Sequence, residues 1–447
     1  MKRNAIEHLI TWKEAGGQLP ALLYGCKGCG KTWLALDFAK AFFEGYFYIN
    51  LENDAAKKKQ LEEGSKRVTS RSEMLLLLSE CFELPIELFS VFLIIFDETS
   101  CSKSVQEMLL NYAPLPENTN PLAEESSLER ITCYLLLISS CNDEALTRAI
   151  AEPDHLQAIF VAPLQFDEFL MAIGSEWYAE VIQGHYQTSH RIPMIVHKEL
   201  LDLFEDYLSI GGIPAAINEY LQTESIDNVA EVHRTIFNNL CSHIRKHYDE
   251  GIALKMQQVM EVLPAQLVKE NQKFQYKLLR KGATYQLYAE AIEALKNNFI
   301  VYQCSKLSEE NNFKLFPMDV GVYHSIVQYP EMQERIRSLV TPGKFYMPEL
   351  TFRKDMLDCY FMQTITAKKQ AVSFWESASQ AKIDFLLDLG ETYRIPFEIK
   401  TTEASRSRSI QVYRNEFPAP YSIRLSQNNY EISEQQKNIP YYALFCL

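Results

Sequence analysis

Short, solidly apolar runs alternate with amphipathic stretches over residues 18–175. Short runs lie at 20–24 and 46–51, and further runs at 91–96 and 134–138 are solidly apolar, the pattern of strands buried on both faces of a parallel sheet. Between the first two, residues 32–43 carry helical spacing, so the order strand, helix, strand predicts an α/β fold. From 176 to 251 the pattern turns helical, with Leu200, Leu201, Leu203, Phe204 and Leu208 on a 3.6-residue period and a break at Gly211-Gly212-Ile213-Pro214. A helical lid is expected there. Residues 255–305 hold two helix-like segments before strand-like Phe299, Ile300, Val301 and Tyr302, compatible with a winged helix. Strands return after Leu339, past a linker at Thr341-Pro342-Gly343. The expected divisions are 1–175, 176–251, 252–335 and 336–447.

At 447 residues, with 47% hydrophobic and 23% charged, the chain has the mixture of a folded multidomain protein and not of a disordered one. The longest apolar run, around 88–96, is far short of the roughly 20 residues that cross a bilayer, so no membrane association is expected. Glu7, Lys13 and Glu14 interrupt the apolar run that a signal peptide needs. Ten cysteines without regular spacing read as reduced thiols of a cytoplasmic protein.

The net charge of −14 argues against a protein that coats nucleic acid by charge alone, but the acidity is uneven. Residues 1–251 carry 37 acidic against 20 basic side chains, whereas 252–305 carry 7 basic against 4 acidic and 336–447 carry 14 against 12. A polyanion could be engaged by these two later segments. In the first, Lys273, Lys277 and Lys281 recur every four residues beside Arg280, which on a helix gives one positive face, either a phosphate-contacting surface or a solvated one.

Gly25-Cys26-Lys27-Gly28-Cys29-Gly30-Lys31-Thr32 satisfies GxxxxGK[ST] between a predicted strand and a predicted helix, the context that a phosphate-binding loop requires. The glycines let backbone N–H groups turn inward at a helix N-terminus. Lys31 is then expected to reach the β- and γ-phosphates of ATP, and Thr32 to ligate Mg²⁺. Cys26 and Cys29 fill variable positions of this loop and read as two ordinary thiols rather than a metal or redox pair. Downstream, Asp97 and Glu98 end an apolar strand. Asp97 is the candidate for the Mg²⁺ shell and Glu98 for orienting and deprotonating the attacking water. Ser140 and Asn142, after the 134–138 strand, are candidate γ-phosphate sensors.

A second constellation lies at 382–400. If 390–392 form a three-residue turn, 389 pairs with 393, and Asp384 falls opposite Glu398 with Lys400 on the same face. Facing carboxylates can share a divalent cation that activates water, and the lysine can stabilise charge on a phosphate oxygen. A solvated charged face is the alternative.

The blocks GCKGCGKTWLALDFAK, LIIFDET, PLQFDEFL, LSIGGIPAAINEYL, FKLFPMDVG and KIDFLLD with PFEIK resemble prokaryotic, archaeal-type AAA-superfamily ATPases that bear a C-terminal domain of nuclease-like fold. The resemblance implies an AAA-type P-loop core, a helical lid, a winged helix and a restriction-endonuclease-like α/β domain of the PD-(D/E)xK class. It implies ATP and Mg²⁺ bound by residues 25–32 and Asp97, and DNA as partner through 252–305 and 336–447. It also implies a metal site at Asp384, Glu398 and Asp358, the last standing where such proteins have a glutamate, with Lys400 completing the signature. AAA relatives often form rings and others of this type do not, so an oligomer stays open.

Overall fold

The computed structural model describes residues 1–112, 131–152, 155–339, 352–377, 381–388, 393–401 and 408–447. The chain divides into two compact units, one comprising residues 2–161 with 297–299, the other 162–296 with 300–447.

In the first unit, β1 (Ala21–Tyr24), β2 (Gly45–Asn50), β3 (Phe92–Asp97), β4 (Tyr134–Ser139) and β5 (Gln157–Phe160) form a sheet in the order β2-β3-β4-β1-β5. Every pairing is parallel. The expected α/β fold is observed, and the four anticipated strands and the helix Lys31–Phe42 all form. Leu22, Ile94, Phe96, Leu135 and Leu137 are fully or almost fully buried, as strands covered on both faces must be. The fifth strand was not anticipated. It spans only four residues, Gln157–Phe160, at the sheet edge.

In the second unit, β6 (Val301–Lys306), β7 (Glu309–Pro317), β8 (Ala371–Glu376), β9 (Lys382–Asp388), β10 (Ile395–Ile399), β11 (Ser422–Ser426), β12 (Glu431–Ile432) and β13 (Gln436–Pro440) build one mixed sheet, ordered β12-β13-β11-β10-β9-β8-β6-β7. Helices Glu250–Leu267 and Tyr285–Asn297 precede the β6–β7 hairpin, the order expected of a winged helix. That hairpin is no isolated wing, however, because β6 pairs in parallel with β8. Residues 176–251 and most of 252–335, together with 336–447, thus fall within one compact unit. The proposed linker at 341–343 lies outside the described residues.

Lys273, Lys277 and Lys281 do not share a helical face. The long helix ends at Leu267, and only a three-residue turn of 3₁₀-helix, Tyr276–Leu278, follows. Side chains there capture the backbone in place of helical bonds: Gln272 Nε2 donates to Leu267 O, Gln266 Oε1 accepts from Gln275 N, and Asn271 Oδ1 accepts from Lys273 N. Lys273 forms an ion pair with Glu376, while Lys277, Arg280 and Lys281 are exposed on the turn.

The Gly-Gly-Ile-Pro break ends the helix Met194–Ile210 and places Pro214 at the first position of the next, Pro214–Thr223. It also docks on Asp319, whose Oδ2 accepts from Gly212 N at 2.7 Å and whose Oδ1 accepts from Val322 N at 2.9 Å, capping the helix Val320–Gln328. Burial pushes the Asp319 carboxyl up to about 6, against the backbone N–H groups that pull it down. No helix among the described residues is long and apolar enough to cross a membrane.

Candidate functional site

The loop between β1 and the helix Lys31–Phe42 curls through three glycines with positive φ: Gly25 at 150°, Gly28 at 87° and Gly30 at 95°. A Cβ on Gly28 would meet nothing within 4 Å, so this part of the backbone borders open space, whereas one on Gly25 would lie 2.2 Å from Val161 O. The curl closes on Lys31. Its Nζ donates to Gly25 O (2.9 Å), Cys26 O (2.8 Å) and Ser140 Oγ (3.0 Å).

Ser140 Oγ in turn donates to Glu98 Oε1 at 2.8 Å, forming a continuous chain from Lys31 to Glu98. Glu98 sits in the left-handed region at φ 53°, a conformation that costs a non-glycine residue free energy and that clusters at functional sites. Lys27 Nζ lies 3.9 Å from Glu98 Oε1 and bonds Glu52 Oε2 at 2.9 Å, so its side chain is directed to these carboxylates. Thr32 Oγ1 donates to Asp97 Oδ2 at 2.8 Å. The hydroxyl and carboxylate assigned to one Mg²⁺ shell are therefore neighbours, and an oxygen-only donor set suits this ion.

Sequence reasoning missed Tyr48, whose hydroxyl donates to Asp97 Oδ2 at 2.7 Å; pairing of Asn50 with Asp97 places β2 alongside, a relation visible only in the sheet. Burial, with the bond to Asp97, pushes the Tyr48 phenol up to about 12, so it remains a donor. Burial raises the Asp97 carboxyl, opposed by the Tyr48 and Thr32 hydroxyls. Asn142 lies apart from this chain; its backbone N donates to Asn297 O at 2.7 Å.

Burial would raise the Cys29 thiol, but the hydrogen bond with Cys26 and the nearby Lys31 and Arg3 cations outweigh burial and bring it down to about 6. Its Sγ donates to Val161 O at 3.0 Å.

In the second unit, β9 and β10 pair with Leu387 opposite Ile395 and Phe385 opposite Phe397, the register that sets Asp384 against Glu398. The turn expected at 390–392 lies outside the described residues. The face is only partly solvated: Glu398 is buried along with the rest of β10, whereas Asp384 and Lys400 are half-buried. Lys400 Nζ lies 3.6 Å from Glu398 Oε2, as same-face placement requires. Asp358, on the helix Lys354–Ala367, is fully buried; its Oδ2 accepts from Gln272 Nε2 at 2.8 Å and its Oδ1 from Lys354 Nζ. Lys354 Nζ also lies 3.4 Å from Asp384 Oδ1, while Asp384 Oδ2 accepts from Ile399 N at 3.1 Å. Burial would raise the Asp384 carboxyl, but Lys354, Lys314, the Ile399 N–H and Lys400 together hold it below its ordinary range. For Asp358, burial prevails and the carboxyl is raised.

Asp358, Asp384 and Glu398 do not bring one oxygen each to within 4.8 Å of one another, so the three expected metal ligands do not converge. With Lys354 between two of them, this donor set does not fit a divalent cation.

A family model described as an AAA domain matches residues 18–170. This match supports an AAA-type P-loop ATPase reading of that segment. Two further family models, both described as domains of unknown function (DUF8612 and DUF4143), match 201–333 and 354–444. No curated protein matches the chain. Among solved structures the chain is similar to the Walker-type ATPase paby2304 of Pyrococcus abyssi, at 15% identity over 73% of this chain and 95% of that one, with a TM-score of 0.42. It is also similar to the Aeropyrum pernix Orc1 protein in complex with DNA, at 12% identity over 75% and 94% of the two chains and a TM-score of 0.34. At these TM-scores neither likeness carries a statement about fold or partner.

Proposed function

We propose that the chain is a Mg²⁺-dependent ATPase whose nucleotide state repositions the unit formed by residues 162–296 and 300–447. The observation that carries this reading is the hydrogen-bonded chain Lys31–Ser140–Glu98 beside the Thr32–Asp97 pair. In it, Lys31 leaves its loop carbonyls for the β- and γ-phosphates, and the N–H groups at the start of Lys31–Phe42 face the anion. Thr32 and Asp97 would hold Mg²⁺, which when bound would supply charge that offsets the phosphates. Glu98, oriented by Ser140, accepts the proton of the attacking water.

Residues 297–299 support the coupling. They belong to the ATPase unit and join the helix Tyr285–Asn297 to β6 of the other. Asn297 O receives the N–H of Asn142, two residues beyond Ser140, and the Phe299 ring packs 5.8 Å from Tyr24 and 5.7 Å from Phe160. A shift of Ser140 on γ-phosphate binding reaches the connection directly. The exposed Lys277, Arg280 and Lys281 follow the long helix of the segment 252–305, and nucleic acid is the polyanion this reading assigns to them and to 336–447.

Hydrogen exchange tests the coupling. Replacing ADP by ATP should change amide protection in residues 162–296 and 300–447 of the wild type. Phe299→Ala should erase that change at unaltered nucleotide affinity, and Phe299→Leu should retain most of it. A full ATP-dependent change in Phe299→Ala would refute the route.

A further inference from the structure

We propose that Lys354 is the built-in cation of the Asp358–Asp384–Glu398 cluster, taking the place of a divalent metal and leaving this nuclease-like site unable to bind one or to cleave phosphodiesters. The inference concerns the second unit alone and does not depend on the ATPase reading.

Geometry supplies the first argument. Lys354 opens the helix Lys354–Ala367 and Asp358 lies one turn on, so their side chains share a face. The Lys354 ammonium bonds Asp358 Oδ1 and approaches Asp384 Oδ1, the space between two carboxylates that a metal would fill. The outer oxygens are also engaged, Asp358 Oδ2 by Gln272 and Asp384 Oδ2 by the Ile399 N–H.

Charge supplies the second. Lys314, itself buried, directs its ammonium over the rings of Phe374 and Phe385 at 4.8 and 5.6 Å and acts on both aspartates. Glu398 has Lys400. Three carboxylates thus face three ammonium groups, and a divalent cation would find no uncompensated charge. To enter, it would have to displace an ammonium from Asp358, which is 0% exposed, leaving that ammonium to be hosted elsewhere. Lys354 and Asp384 also line a cavity of about 480 Å³, so access does not explain exclusion.

Manganese binding to the full chain without nucleotide, followed by electron paramagnetic resonance, tests this. Wild type and Asp384→Asn should bind the same number of Mn²⁺ ions; a wild-type ion lost in Asp384→Asn would overturn the proposal, and that comparison decides even if other variants fail to fold. Lys354→Met should gain one Mn²⁺ per chain, and Lys354→Met/Asp384→Asn should lose it again. A folded Lys354→Met that gains no ion would equally overturn the role of Lys354. Lys354→Arg, which keeps the charge, should behave as wild type, and Mn²⁺-dependent nicking of plasmid by the wild type that Asp384→Asn abolishes would contradict the proposal.

Discussion

Glutamine at position 98 is expected to leave ATP bound while lowering turnover by about 10²- to 10⁴-fold, the range that a positioned general base contributes. The two side chains have nearly the same shape, so the amide oxygen can still accept from Ser140, whose hydroxyl lies 2.8 Å from Glu98 Oε1. The loop around Lys31 is then undisturbed. What disappears is the basic oxygen that takes a proton from water, together with the charge that attracts Lys27 from 3.9 Å. Phosphate release measured at saturating MgATP gives the turnover, and a nucleotide titration gives the affinity. Equal phosphate release by wild type and Glu98→Gln would remove Glu98 from the mechanism.

Alanine at position 212 is expected to cost about 3 kcal/mol or more, because a Cβ is forced against atoms that cannot yield. That Cβ would lie 2.2 Å from Leu164 O and 2.7 Å from Leu164 N, both backbone. The same peptide is tied on both sides: Leu164 N donates to Gly212 O at 2.7 Å, and Gly212 N donates to Asp319. Tyr207 donates its hydroxyl to Leu164 O and receives Gln363, whose Oε1 holds Val320 N, so displacement spreads through several buried bonds. Thermal unfolding should show the transition of this unit lowered by roughly 6–10 °C for such a loss. Gly184→Ala is the control. It lies within the helix Glu176–Thr188 with nothing within 4 Å of the added Cβ, and should stabilise by roughly 0.5–1 kcal/mol. Equal midpoints for the two variants would show that the Leu164–Gly212 contact is not what fixes this junction.

The phosphate loop was legible in the sequence because its chemistry lies within eight consecutive residues, 25–32, whose glycines state the backbone path. The β9–β10 register was legible for a related reason, since pairing is fixed by counting outward from a turn. Lys354 was not. Its approach to Asp384 depends on how a helix packs on a strand 30 positions away, and no local pattern encodes that distance. Tyr48 escaped notice likewise, reaching Asp97 across neighbouring parallel strands. The lysine periodicity at 273, 277 and 281 misled because polar side chains bonding the local backbone ended the helix before the spacing could act. Gly-Gly-Ile-Pro reads as a break, which it is, but its docking on Asp319 is a long-range pairing that spacing does not reveal.

The central claim is that one triphosphate is gripped by the loop closed around Lys31. Isothermal titration of the wild type and of Lys31→Ala with ATP in the presence of Mg²⁺ tests it most directly. The wild type should bind one ATP per chain, and Lys31→Ala should weaken binding by about 10- to 100-fold, as loss of charge-assisted bonds to phosphate implies. No saturable binding by the wild type, or equal affinity of the two proteins, would contradict the account.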